Sequence, residues 1–385
     1  MTPTRPHHRL FKAPAVTLLA AAIGAAWLAL PAYAGAASLK NAGSPFTSGA
    51  FESVQTLQAD APPASSVNDL PRGQFPLPDD GDVVGHNQTL TVQDQEQTLI
   101  DIARQHNIGY EEIRMANPGV SLWVPGIGTE ITIPSRYLLP DAPRKGIVIN
   151  LSELRLYYYP ADKPGIVETY PVSVGRDEFA TPVGVTRTTA KVKDPAWAPP
   201  PSMRREAAAR GEPKPDVVPA GPDNPLGEHA ILLALPSYLI HGTNRPEGVG
   251  MRVSRGCIRM YPEDIKSLYE RLPSNTRVNL IDAPFKAGWA SDGSLLVQSL
   301  PQLKESSSDA ETLKKALNIV DEALENGQAK GAAEIDHARV KQAIEDSDGS
   351  LIALYGPQAE ASGDIQADNQ VELFEEVQQR NAAEK

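Results

Sequence analysis

Two short stretches of the chain hold the residue types of nucleophilic catalysis. They are Ile240-His241-Gly242-Thr243-Asn244 and Ser254-Arg255-Gly256-Cys257-Ile258-Arg259. A thiol becomes an effective nucleophile when a base lies within hydrogen-bond reach and the base is itself oriented. Cys257 is the single cysteine of the chain, and His241 and His229 are the histidines nearest to it in sequence. His241 ends an apolar run, which can hold it rigidly at the end of a sheet. Cys257 follows 16 residues later, far enough for a loop to return to that end. Gly242 permits an unusual backbone angle, and its carbonyl can orient the imidazole without a carboxylate. Gly256 lets a substrate approach the backbone beside the thiol, where N–H groups can receive an oxyanion. Arg255 and Arg259 raise the local potential and favour thiolate over thiol. Each stretch alone fits a polar strand end or a plain turn; together they describe a Cys/His site.

The elements that must position this pair are mostly strands. Residues 147–150, 154–159 and 167–174 are rich in β-branched and aromatic side chains. A turn at Thr181-Pro182-Val183-Gly184 follows. Residues 194–227 form a Pro-rich excursion with a short helix near 204–210, and its length suits a lid. Residues 230–240 return as one buried strand. Pro262 opens a helix through about Leu272, and 277–281 closes with a strand. The reading is a mainly β domain over 140–282, a β-sandwich with one late helix. Residues 283–302 form a hairpin about Ser291-Asp292-Gly293. Ahead of the domain, strand and helix signals alternate as β-α-α-β over 83–136. Behind it, 303–385 carries 18 acidic against 8 basic residues. Apolar spacing there suggests helices near 313–324, 340–344 and 371–377, a helical acidic extension.

The start of the chain reads as a targeting segment. Arg5, Arg9 and Lys12 precede an apolar run from Ala15 to Leu30, and Ala32-Tyr33-Ala34 closes it. This pattern is a secretory signal over 1–34, cleaved after Ala34. Residues 35–82, rich in Ser, Ala, Pro, Gly and Asp, read as a linker. A formal charge of -12 argues against a nucleic-acid partner, which needs a basic face. A single cysteine excludes an intramolecular disulfide and a multi-cysteine zinc site. With the leader removed, no multispanning membrane protein is left.

Segment 83–136 resembles a LysM module, a small fold that binds the glycan of peptidoglycan or chitin. Thr98-Leu99, Ile102-Ala103, Ile113, Asn117-Pro118 and Ile131-Thr132-Ile133-Pro134 carry the likeness. His-Gly-Thr-Asn followed by Ser-x-Gly-Cys-Ile-Arg is similar to the signature of the YkuD-type L,D-transpeptidases. The match extends to Thr181-Pro182-Val183-Gly184, Trp197-Ala198-Pro199, the run from Val218 to Pro225, and Pro262-Glu263-Asp264-Ile265. Arg255 stands where many members have a second histidine, whose role is not carried over. The layout resembles the periplasmic subgroup of Gram-negative bacteria that attaches the outer-membrane lipoprotein to peptidoglycan.

The resemblance implies an enzyme that needs no metal or organic cofactor. Cys257 attacks the carbonyl of the third residue of a tetrapeptide stem, and His241 moves the proton. Backbone N–H groups near Gly256 and Cys257 hold the oxyanion, and D-alanine leaves a thioester behind. Arg259 and Arg255, with Asn244 and Ser254, bind or position the substrate. A diaminopimelate amine resolving the thioester gives a 3–3 cross-link. The C-terminal lysine of a lipoprotein gives anchoring, and water gives carboxypeptidase or amidase action. A non-catalytic cell-wall binding protein is the alternative outside enzymology.

Overall fold

The computed structural model describes residues 70–301, 309–327, 335–359 and 361. The expected leader, most of the linker and the expected helix at 371–377 lie outside the described residues.

The end of the expected linker is itself a strand, β1 (Gln74–Pro76). Next come β2 (Val83–Gly85), β3 (Gln88–Thr91), α1 (Leu99–Gln105), α2 (Tyr110–Ala116), β4 (Glu130–Ile133) and β5 (Arg136–Leu138). β3 pairs antiparallel with β4, and β2 with β5. Thr98 caps α1 reciprocally with Asp101: Asp101 N–H donates to Thr98 Oγ1 at 3.0 Å and Thr98 N–H to Asp101 Oδ2 at 3.1 Å. The β3-α1-α2-β4 order is the expected β-α-α-β arrangement. The outer β2–β5 pair is too short to announce itself in sequence.

Ten strands follow: β6 (Gly146–Asn150), β7 (Arg155–Tyr159), β8 (Ile166–Pro171), β9 (Val174–Gly175), β10 (Gly184–Lys193), β11 (His229–Leu233), β12 (Leu239–His241), β13 (Arg252–Ser254), β14 (Ile258–Arg259) and β15 (Arg277–Ile281). Helix α3 (Pro201–Ala209) lies in the Pro-rich excursion, and α4 (Pro262–Arg271) opens on Pro262 as the sequence predicts. Nine strands are ordered β1-β8-β7-β6-β15-β10-β11-β12-β14. β9 and β13 form a separate parallel pair.

The expected sandwich is thus one sheet folded over. β10 does the folding: its first half pairs with β15 and its second with β11, with a register shift between Thr188 and Lys191. Ile147, Ile149, Leu156 and Val278 from one limb meet Ile231, Ile240 and Ile258 from the other, with Ile265 and Leu268 of α4. The reverse face of the first limb is also covered. Val148, Tyr157, Tyr159 and Val167 share a core with Leu99, Ile102, Ile113, Ile131 and Ile133 of the β-α-α-β unit. The single strand expected over 230–240 is a hairpin of β11 and β12. Pro236 cannot donate to a ladder, and Ser237 turns the chain at a φ of +69°.

β16 (Phe285–Trp289) and β17 (Leu295–Ser299) form the expected hairpin. The extension is not purely helical. α5 (Asp309–Asn326) and α6 (His337–Asp346) are followed by β18 (Leu351–Tyr355), which pairs antiparallel with β17. Val320, Val340 and Leu354 close a core with Phe285, Leu295 and Val297. Among the described residues no helix is long and apolar enough to cross a membrane.

Candidate active site

β12 and β14 lie side by side and parallel, with Ile240 opposite Ile258 and His241 opposite Arg259. Side chains alternate across a strand. Ile240 and Ile258 enter the core, so His241, Cys257 and Arg259 share the opposite face. Cys257 sits two positions before the residue that pairs with His241. Strand spacing and rise then put the two Cα atoms about 8 Å apart, a span that two side chains bridge. Cys257 and His241 thus lie at the ends of adjacent strands, with the Cys257 Sγ 3.6 Å from the Ser237 carbonyl.

The imidazole of His241 is buried, with Nδ1 2.6 Å from the Gly242 carbonyl. A carbonyl only accepts, so Nδ1 carries the proton and Nε2 is left as the base. Gly242 therefore orients the ring through its backbone. Burial, aided by the Arg259 cation, lowers the His241 pKa to about 4 against the pull of the Gly242 and Leu226 carbonyls.

Cys257 donates weakly from Sγ to the Ser237 carbonyl at 3.6 Å. Burial pushes its thiol pKa up, opposed by the Leu239 amide. This corrects the expectation that Arg255 and Arg259 favour the thiolate. The Arg255 guanidinium is held elsewhere: Nη2 pairs with Glu206 Oε2 of α3, and the group lies 4.2 Å from the centre of the Phe179 ring. Arg259 lies near Glu247, Arg245 and Gly248. At neutral pH the resting pair is a thiol and a neutral imidazole.

The turn before the thiol is tied at several points. Gly256 N–H donates to Ser254 Oγ at 3.0 Å, and Ser254 Oγ donates to the Cys257 carbonyl at 2.6 Å. Ser254 therefore closes the turn that presents Cys257. Gly256 has φ +104°, and a Cβ there would lie 2.6 Å from Tyr238 Cε1, so no other residue fits. Thr181 Oγ1 accepts from Gly175 N–H at 3.0 Å and donates to the Gly256 carbonyl at 2.9 Å. The sequence offers Thr181 as part of a turn and of the Thr-Pro-Val-Gly string in the family resemblance, without a role for its hydroxyl.

Arg259 is anchored through its backbone, with N–H to the Ser173 carbonyl at 2.9 Å and the Ser173 N–H returned at 2.8 Å. Its buried Nε has no hydrogen-bond partner among the described residues, and burial lowers its pKa. A desolvated guanidinium close enough to lower the His241 pKa suits an incoming carboxylate. Asn244 is exposed at the start of the loop. The Pro-rich excursion is closed on itself by Asn224, fully buried, which donates to the Pro195 and Pro219 carbonyls at 2.8 and 3.0 Å.

The family model of the L,D-transpeptidase catalytic domain, YkuD, matches residues 144–280. "Probable L,D-transpeptidase YcfS" of Escherichia coli is 41% identical over 269 residues, 68% of this chain and 84% of that protein. "Probable L,D-transpeptidase ErfK/SrfK" of the same organism is 41% identical over 286 residues, 73% and 90% of the two chains. "Probable L,D-transpeptidase YbiS" is 38% identical over 290 residues, covering 73% and 91%. On this combination of a matched catalytic domain and relatives aligned over most of their length, the chain belongs to the YkuD family of L,D-transpeptidases.

Proposed function

We propose that this L,D-transpeptidase uses Cys257 as nucleophile and His241 as base, acting on the tetrapeptide stems of peptidoglycan in the periplasm. The observation that carries the reading is the pairing of β12 with β14, which sets a neutral, Nδ1-anchored imidazole on the same face as the single thiol. Cys257 Sγ attacks the carbonyl carbon of the third stem residue while its proton passes to His241 Nε2. The Cys257 amide takes the oxyanion role, because Gly256 N–H is already committed to Ser254. The tetrahedral intermediate collapses, the amide bond to D-alanine breaks, and the Nε2 proton leaves with the D-alanine amine. A thioester remains. An acceptor amine then gives its proton to Nε2 and attacks the thioester carbonyl, and the proton returns to Sγ as the thiol leaves.

Neutral partners suit this cycle: a thiol loses its proton only as it attacks, so neither reacting group carries a charge beforehand. Arg259 holds a stem carboxylate, supported by its buried, unpartnered Nε. Asn244 and Arg255 line the approach. Export by the leader over 1–34 agrees with a wall substrate. The β-α-α-β unit is read as a LysM-like glycan binder. Its support is the exposed apolar group Trp123, Val124 and Ile127, exposed at 60–65% in the loop between α2 and β4.

The acceptor is the C-terminal lysine of an outer-membrane lipoprotein or a diaminopimelate side chain. The test is product mass after incubating the full chain with tetrapeptide muropeptides and a lipoprotein C-terminal peptide. A new amide to the peptide establishes anchoring, a muropeptide dimer establishes 3–3 cross-linking, and a shortened stem alone makes the enzyme a carboxypeptidase. No product with any acceptor overturns the assignment.

A further inference from the structure

The loop running from His241 to Cys257 is held from behind by the β-α-α-β unit. Tyr110 N–H donates to the Val249 carbonyl at 2.9 Å, and Glu111 N–H to the Gly250 carbonyl at 3.2 Å. The two backbones touch there. Gly250 has φ +88°, and a Cβ on it would lie 2.5 Å from Gly109 Cα and closer still to Tyr110 N. The same loop is gripped on its other side, where Ser173 Oγ donates to the Gly248 carbonyl at 2.7 Å. Gly248 is next to the Arg259 guanidinium, whose Nη1 is 3.8 Å from the position of a Cβ at that glycine.

The segment doing the holding is immobilised in turn. Glu112 Oε2 accepts from Gly109 N–H, and its two oxygens take Arg155 Nε and Nη2, every contact at 2.7 Å. The Ile108 carbonyl accepts from Tyr261 OH at 3.1 Å, and Asn107 Nδ2 donates to the Thr169 carbonyl at 2.7 Å. Arg104 forks onto Glu263 with two bonds of 2.9 Å. The unit is thus bonded to the catalytic sheet at Arg155 and Thr169 and to the start of α4 at Tyr261 and Glu263.

We propose that Gly109-Tyr110-Glu111 is a positioning element of the catalytic centre: it fixes the loop that carries Gly248 to Gly250, and through it the placement of Arg259 and the turn leading to Cys257. The proposal rests on the assignment of Cys257 and His241 as the reacting pair. A displacement of about 1 Å in a loop of this kind can cost up to about a hundredfold in rate.

Tyr110→Pro in the full chain is the direct test. It removes one N–H from the contact but keeps the helix, because Tyr110 is the first helical residue, where proline is tolerated. Gly109, with φ -84° and ψ 165°, already has the conformation that precedes proline. Tyr110→Ala keeps the N–H and is the control for the side chain. With tetrapeptide muropeptide as donor, Tyr110→Pro should lower kcat about tenfold relative to Tyr110→Ala, with a smaller change in KM and melting temperatures within a few degrees. The rate of Cys257 acylation by a carbapenem should fall in parallel.

Equal kcat in the two folded variants overturns the proposal. If Tyr110→Pro lowers the melting temperature further, hydrogen exchange on the wild-type chain decides. Acylating Cys257 with a carbapenem must then change protection across 108–112, and unchanged protection there overturns the coupling. Cys257→Ala run alongside separates the two readings: turnover surviving in that variant defeats the site assignment itself, whatever Tyr110→Pro does.

Discussion

Cys257 and His241 are kept neutral by the same physical cause, loss of water around a group that would otherwise be charged. This fixes the pH behaviour expected of each. The thiol lies above the ordinary cysteine range, so its alkylation by iodoacetamide should keep rising beyond pH 9, measured by intact mass. A plateau near pH 7 would show a resting thiolate instead. The imidazole, held near 4, is competent as base through the neutral range, so kcat/KM should lose its acid limb only near pH 4. The same shift links folding to pH. An unfolded histidine takes up its proton near 6.5 and the folded one does not until about 4, so the contribution of His241 to stability is complete above about 6.5 and is lost as pH falls toward 4. Cys257→Ala should abolish turnover and carbapenem adducts with little change in melting temperature. Thr181→Val deletes both hydroxyl bonds that hold Gly175 and Gly256 together, and should lower kcat about tenfold with the thiol still alkylated.

At the scale of elements, α3 is joined to the site by one ion pair, Glu206 to Arg255, beside the Phe179 ring. Glu206→Gln should speed donor binding and leave melting unchanged, a split that stopped-flow acylation and calorimetry resolve. A fall in stability without a kinetic change would make α3 a structural flap. What sequence could reveal here followed from range. His241 and Cys257 were legible because one ends an apolar run, the other is the single cysteine, and each has glycine beside it, all within 17 residues. Thr181 was hidden because its partners, Gly175 and Gly256, meet only after the chain folds over β10. β18 was hidden because Leu351 to Tyr355 is a short apolar run that fits a strand or a buried helix equally. The break between β11 and β12 was readable from Pro236, but the apolar residues on both sides of it read as continuous.

The whole molecule is stitched by charge as well as by apolar packing. Arg155 is fully buried, its guanidinium taken by Glu112 and lying 4.2 Å from the Tyr137 ring centre, so one residue of the catalytic sheet binds α2 and β5 together. Glu112→Ala leaves that cation without a counter-charge and should destabilise the fold by about 3–5 kcal/mol in chemical denaturation. Loss of less than about 1 kcal/mol would mean that water reaches Arg155. Lys286 of β16 makes a second buried pair with Glu153, which extends the same stitching to the C-terminal sheet.

The one-cysteine composition has a further consequence for the lifetime of the enzyme. Once oxidised, Cys257 has no neighbouring thiol to reduce it, so each oxidised molecule depends on an outside reductant or is lost. Peroxide attacks thiolates and largely spares thiols. The burial that holds Cys257 protonated therefore also shields it, and inactivation by peroxide should be slower than oxidation of free cysteine at the same pH.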